Sequence, residues 1–282
     1  MTREGVGPTI VPSIASFLRS LADGTFTLLF PSNCRVCSEP LTAASRLPVC
    51  QECRDSIQPI EGNLCSVCGE RNRTFFGRDD GAEPVPCGLC RRAAPAYSRA
   101  VAFGPFEDAL REVIHLLKYD RVLPAAGFLG GKLSVAMTQL AVPEEGWLVA
   151  PVPLHAAKLH QRGFNQAELV ARAALKRLPD AVGFELSTSC LARQRETVPQ
   201  AGLTRHQRRE NIRGAFMVRR PEIVRGREIL LVDDVFTTGT TISECARVLR
   251  RAGAAGVCAV TVARVLKADR IMVNPAEVLQ AA

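Results

Sequence analysis

With 282 residues, 47% of them apolar, the chain has enough length for one large or two modest domains and too much core material to be disordered. No apolar run approaches the roughly 18 residues of a membrane span. The opening stretch MTREGVGPTIVPSIASFLRSLADG lacks the continuous apolar segment of an export signal, so a cytoplasmic protein is expected. The formal net charge is +8, and most of the surplus is local: residues 191–227 hold ten Arg against three Glu. Such a segment suits phosphate-bearing partners, whether nucleic acid, nucleotide or phosphorylated sugar.

Taken in chain order, Ile10, Ile14, Phe17, Leu18 and Leu21 suggest a short amphipathic helix within an N-terminal segment, residues 1–25. A cysteine module follows over residues 26–93. Eight of the eleven cysteines form four CxxC pairs: Cys34/Cys37, Cys50/Cys53, Cys65/Cys68 and Cys87/Cys90. A CxxC turn aims two sulfurs at one point, and two such turns complete a tetrahedral thiolate shell, so eight ligands suit two zinc ions. Disulfides would need an oxidising compartment, and a redox CxxC would need a thioredoxin-like context; neither is indicated. Gaps of 12 and 18 residues favour sequential ribbons, Cys34, Cys37, Cys50 and Cys53 for one ion and Cys65, Cys68, Cys87 and Cys90 for the other. A cross-braced arrangement remains the alternative. Both sites are closed and therefore structural.

Residues 94–266 read as a second domain, with a tail at 267–282 that carries no readable signal. AVAFGPF (100–106) suggests a strand and turn, and FEDALREVIHLLKY a helix with Phe106, Leu110, Val113, Ile114 and Leu117 on one face. WLVAPVPL (147–154) reads as a buried strand stopped by prolines, and FNQAELVARAALKRL as a helix. REILLVDD is the next strand, TISECARVLRRAG a helix ended by Gly253, and GVCAVTVARV a last strand. Continuously apolar strands alternating with helices imply an α/β fold, a parallel sheet covered on both faces.

In ILLVDDVFTTGTT, from Ile229 to Thr241, two acids close an apolar strand and a hydroxyl-rich loop leads into a helix. Ligands of such folds bind beyond the C-terminal strand ends. Adjacent carboxylates there repel unless sugar hydroxyls or a magnesium ion bridge them. The loop's N–H groups, threonine hydroxyls and glycine suit a phosphate at a helix N-terminus. Together they describe a pocket for a ribose 5-phosphate.

The same stretch resembles the phosphoribosyl-pyrophosphate (PRPP) signature of type I phosphoribosyltransferases. With HLLKYD (115–120), PVPLHAAKLHQRGFNQAELV (151–170), RETVPQAGLTRHQRRENIRGAF (195–216) and the cysteine module, the chain resembles the ComF family over roughly residues 26–265. That family is competence-associated and sets a double zinc ribbon ahead of a type I phosphoribosyltransferase-like domain. Three features depart from its pattern: Lys158 where arginine is common, a long Cys68–Cys87 spacer, and the extended tail. The resemblance implies that Asp233 and Asp234 hold the ribose hydroxyls, directly or through Mg, and that Thr237, Thr238, Gly239, Thr240 and Thr241 hold the 5-phosphate. It implies that Lys158, Arg162 and Gly163 face the pyrophosphate. Residues 195–211 correspond to a mobile loop in which Arg195, Gln200, Arg205 and Arg209 neutralise the leaving group, with Gln200 and Asn211 as alternative structural hydrogen-bonders. Of the four histidines only His155, near the pocket, is worth testing. Three functions compete: a phosphoribosyltransferase of unidentified acceptor, a PRPP sensor without turnover, and a single-stranded-DNA-binding factor working with competence DNA-uptake proteins. A role in nucleotide metabolism is a further expectation.

Overall fold

A computed structural model describes residues 32–41, 45–72, 84–141, 143, 146–178, 183–197 and 204–266. The helix expected over Ile10–Leu21 lies outside them, as does Gln200. The chain forms two compact units, the first ending at Ile57 and the second beginning at Gln58.

The first unit is a cysteine knuckle, a short helix α1 (Gln51–Asp55), and a small set of buried apolar residues, Leu41, Leu47, Val49 and Ile57. So small a core cannot offset chain entropy by itself, which is the condition under which a metal takes over that work.

The second unit contains α2 (Gly88–Arg92), β1 (Arg99–Pro105), α3 (Asp108–Lys118), α4 (Pro124–Met137) and β2 (Trp147–Pro151). Then come α5 (Ala156–Arg162), α6 (Gln166–Leu175), β3 (Phe184–Leu186), β4 (Leu191–Arg193), α7 (Arg205–Ile212) and β5 (Phe216–Val218). The chain closes with α8 (Pro221–Val224), β6 (Glu228–Phe236), α9 (Thr240–Arg251) and β7 (Gly256–Arg264). Five strands make a parallel sheet in the order β1-β7-β6-β2-β3, and β4 and β5 pair antiparallel in a separate ribbon. β6 lies between β7 and β2, with Ile229 against Val257 on one side and Leu148 on the other. Every backbone group of its middle therefore has a partner, and its C-terminal end lies at the edge where folds of this kind bind ligands. Ile229 and Leu231 share a core with Ile242, Cys245, Ala246 and Leu249 of α9. Leu230 and Val232, equally buried, point to the opposite face by the pleat of the strand. The expected parallel sheet flanked by helices is present.

Three details differ from the sequence reading. β6 does not stop at Val232 but runs through both acids to Phe236, because β7 continues beside it, pairing Asp233 with Thr261 and Phe236 with Arg264. α6 begins only at Gln166, where Asn165 caps it by accepting from the Ala167 N–H at 3.1 Å and donating to the Val152 carbonyl at 3.1 Å. α4 has no counterpart in that reading. Its sequence, PAAGFLGGKLSVAM, is apolar on every face and carries three glycines, so neither periodicity nor propensity marks it. The glycines serve packing: a Cβ at Gly130 would lie 2.5 Å from the Cβ of Ala173 on α6. Gly130→Val should therefore cost about 1–3 kcal/mol by overpacking, read as a lowered denaturant midpoint at unchanged slope.

Candidate functional site

The four cysteine pairs come together sequentially. Cys34, Cys37, Cys50 and Cys53 form one cluster and Cys65, Cys68, Cys87 and Cys90 another, each with its sulfurs within 4.8 Å of one another. Cys37 Sγ is 3.7 Å from Cys50 Sγ, and Cys68 Sγ is 3.8 Å from Cys87 Sγ. Tetrahedral bonds of about 2.3 Å to one zinc put sulfurs about 3.8 Å apart, so the donor set fits that ion. Backbone N–H groups also point at the sulfurs. Burial raises the Cys34 thiol, but N–H groups of Cys37, Cys50 and Val36 outweigh it and bring the thiol down to about 6. Cys65 is brought to about 7 in the same way, against burial, by Cys68, Cys87 and Val67. In the first cluster burial pushes the Cys53 thiol up, and hydrogen bonds from the other cysteines push it further. Four thiols this close cannot all ionise without a cation, which is the signature of a metal site.

The second site assembles at the C-terminal end of β6. Asp234 is buried and pairs with Lys118, the last residue of α3, at 2.8 Å. Asp233 is half-buried, and its Oδ1 accepts the Asp234 N–H at 2.9 Å. Burial, and then the Asp234 charge beside it, push the Asp233 carboxyl up to about 7, against the pull of Lys118 and Arg193. Thr237 and Thr238 follow, and Gly239 closes the loop in left-handed conformation (φ 71°) as the N-cap of α9. Thr238 and Thr240 bring their hydroxyl oxygens within 3.1 Å. The loop thus presents hydroxyls at the N-terminal end of a twelve-residue helix, the end towards which its backbone N–H groups point.

Lys158 and Arg162 stand on helix α5 rather than in a loop, and Gly163 ends that helix at φ 85°. Arg162 donates to Gln166 and lies 6.0 Å from the Tyr119 ring. Burial holds the Lys158 ammonium below its ordinary value, helped by the charges of Arg162, Arg193 and Lys118 and opposed by Asp234. Lys158 is therefore near enough to Asp234 for their charges to interact. Arg195 and Arg209 have different surroundings. Arg195 is exposed, and its Nη2 donates to the carbonyls of Asn211 and Arg213 at 2.8 Å each, tying the loop's start to the end of α7. Arg205 opens α7. Arg209 lines a cavity of about 810 Å³ that includes Thr237–Thr240, Arg247, Tyr97 and Phe236 in its wall but neither Asp233 nor Asp234. His155 forms a bridge to Arg193 and keeps a buried Nδ1 without a partner among the described residues.

Two members of the site received no role from the sequence. Lys118 sits four residues after Ile114 on the buried face of α3, so a lysine on an apolar stripe was the available signal. Arg193 leaves β4 two residues before Arg195, half-buried over the Phe216 ring at 5.6 Å and donating to Thr197. Burial holds its guanidinium below the ordinary value, against the pull of the Asp233 carboxylate.

Comparison with known proteins agrees with this architecture. Residues 25–94 match the double zinc ribbon domain, and residues 165–273 match the phosphoribosyl transferase domain. The chain is 31% identical over 236 residues to the DNA utilization protein YhgH of Salmonella typhi, covering 82% of this chain and 96% of that one. It is 30% identical to competence protein F of Haemophilus influenzae, covering 72% of this chain and 91% of that one. To competence protein ComFC of Bacillus subtilis it is 24% identical, covering 77% of this chain and 84% of that one. With two clusters of zinc-ribbon cysteines followed in sequence by a phosphoribosyltransferase domain, the chain belongs to the ComF family.

Proposed function

We propose that this protein binds PRPP, or another ligand carrying a ribose 5-phosphate, with Mg²⁺ at the C-terminal end of β6, and that it serves DNA uptake or use. The observation that supports the pocket best is the acid pair beside the hydroxyl loop, with Lys118, Lys158, Arg162 and Arg193 around it. Asp233 and Asp234 accept from the ribose 2′- and 3′-hydroxyls, directly or as ligands of the magnesium. Two carboxylates, one of them raised by burial and then by its neighbour, are a donor set that suits a hard cation. When bound, the ion supplies positive charge beside the pyrophosphate. Thr237–Thr241 take the 5-phosphate through N–H groups and hydroxyls. Lys158, Arg162 and the Gly163 turn face the pyrophosphate, with Arg209 of α7 lining the same cavity as the loop.

These groups suit one reaction class: a nucleophile, best a nitrogen, displaces pyrophosphate from C1 of the sugar. The cations stabilise the leaving anion and no nucleophilic side chain is needed. The names of the relatives support a place in competence or DNA utilization. A second reading, binding of single-stranded DNA, is favoured by the surplus of arginine over residues 191–227. In that reading a gel shift with single-stranded DNA survives the Asp233→Asn/Asp234→Asn double substitution. No helix among the described residues is long and apolar enough to cross a membrane.

Calorimetric titration with PRPP and Mg²⁺ tests the pocket. Binding by the wild type and loss of at least about tenfold in affinity, or 1.4 kcal/mol, in the Asp233→Asn/Asp234→Asn protein is the expected result. Equal binding by both, or none by a folded, zinc-loaded wild type, would overturn the reading.

A further inference from the structure

The two cysteine clusters differ in their surroundings. The second is built into the core of the sheet: Cys65, Cys68 and Cys87 are buried in one cluster with Tyr97, Ala100, Phe236 and Ile242. Its knuckle is hydrogen-bonded to β1 through the Ala100 N–H and the Val67 carbonyl at 2.7 Å. A second connection runs through Arg264, the last residue of β7, which is only 3% exposed. Its Nη1 donates to the Cys68 carbonyl, and its Nη2 pairs with Glu70 at 3.2 Å. Glu70 is in turn part of the knuckle, its carbonyl accepting the Cys65 N–H at 2.7 Å. One guanidinium fork therefore grips Cys68 and Glu70, the C-terminal side of the turn that presents the Cys68 sulfur.

The same guanidinium lies 4.8 Å from the centre of the Phe236 ring. Phe236 pairs with Arg264 across the sheet, and its carbonyl accepts the Val265 N–H at 2.9 Å. Tyr97 meets its ring edge-on at 6.1 Å. The other side of that ring environment is Gly239: a Cβ there would lie 2.4 Å from the ring's Cζ. The ring is thus the support on which the left-handed turn into α9 rests, and that turn sets where the N–H groups of Thr240 and Thr241 point. Cys68 knuckle, Arg264, Phe236 and Gly239 form an unbroken line of contacts.

We propose that Arg264 and Phe236 are positioning residues that couple occupancy of the second cysteine cluster to the shape of the Thr237–Thr241 loop. The inference rests on the phosphate role proposed for that loop. A zinc ion with four thiolates carries a net charge of about −2, and Arg264 is the buried cation that faces it across the Cys68 turn. Loss of the ion releases the knuckle. That strips Arg264 of an acceptor at a place where an unpartnered charge is costly, so the fork shifts and the ring shifts with it. The Phe236 ring borders the cavity but is only 4% exposed and lies between Arg264 and the Gly239 turn, so a shift of the fork is passed on to the turn. By linkage the effect is reciprocal: a ligand that holds the loop also holds the second zinc. The first cluster, in its own compact unit, has no part in this.

The test uses the full chain with two zinc ions per molecule verified by metal analysis, and follows zinc release to a chelator with and without PRPP and Mg²⁺. In the wild type the ligand should slow one of the two release phases by about fivefold or more and leave the other unchanged. Cys37→Ser, which disables the first cluster, should keep the slowed phase. Arg264→Met and Phe236→Leu should retain two zincs but abolish the slowing. Arg264→Lys, which keeps the charge but cannot span both acceptors, should restore only part of it. Amide exchange over residues 237–241, measured without ligand, should quicken in Arg264→Met and in zinc-stripped protein. Slowing of both phases alike, or of neither in a chain that binds PRPP calorimetrically, would overturn the coupling. If the wild type binds no PRPP, the pocket reading fails on its own, and unchanged exchange over 237–241 after zinc loss still decides against the coupling. If Arg264→Met does not fold, the wild-type release phases decide for or against the coupling by themselves.

Discussion

Lys118→Met should destabilise the protein by about 2–4 kcal/mol, because it leaves the buried Asp234 carboxylate without its cation. The ammonium and carboxylate meet at 2.8 Å with side-chain exposures of 16% and 6%, so neither is stabilised by water as a surface pair would be. Chemical denaturation reads the effect. Lys118→Met/Asp234→Asn, which removes both charges, should recover most of the loss, and the double-mutant cycle should give a coupling of about 1–3 kcal/mol. A single substitution costing less than about 0.5 kcal/mol would show that the pair is hydrated, in the manner of a surface ion pair.

Asp233→Asn should act in the opposite direction on the free protein. In the folded state the carboxyl is raised from 3.8 to about 7, by burial first and then by Asp234. Between those values the folded chain holds a proton that the unfolded chain has lost, so wild-type stability falls as pH rises through that window. The penalty is absent below pH 3.8 and complete above about pH 7. Asparagine remains uncharged and keeps an oxygen for the Asp234 N–H. The variant should therefore gain about 1–3 kcal/mol at pH 8, with the gain fading as the pH is lowered towards 4. At the same time it should bind PRPP and Mg²⁺ poorly. Thermal melts at pH 5 and pH 8 beside a ligand titration test this. A variant less stable than wild type at pH 8 would show that Asp233 supports the fold rather than being held in a strained state for a ligand.

What the sequence revealed and what it hid follow from how far each signal reaches along the chain. Local signals were sufficient for β6, whose apolar run, acid pair, hydroxyl loop and helix are consecutive, and for the cysteine pairs, whose spacing carries the chemistry. α4 was hidden because its evidence is not local: Gly130 and the apolar faces make sense only against Ala173 and the sheet. Lys118 and Arg193 were hidden because their partners, Asp234 and Asp233, lie more than a hundred and some forty residues away in sequence, respectively, and no spacing rule reaches so far. Arg195 illustrates the reverse. The resemblance implied that it neutralises the departing pyrophosphate; in the structure its guanidinium holds the Asn211 and Arg213 carbonyls, while the charge of Arg193 acts on Asp233. The cysteine spacing, finally, announces two equivalent ribbons, but only the packing distinguishes the second, which shares a core with the sheet through Tyr97 and Phe236.

The most direct test of the central claim is amide hydrogen exchange of the zinc-loaded chain with and without PRPP and Mg²⁺. A ligand held as proposed should slow exchange at residues 237–241 and over residues 155–163, which carry α5 and its caps, and leave residues 34–53 unchanged. Protection confined to other segments, or none at 237–241 under conditions where calorimetry reports binding, would contradict a phosphoribosyl pocket at the end of β6.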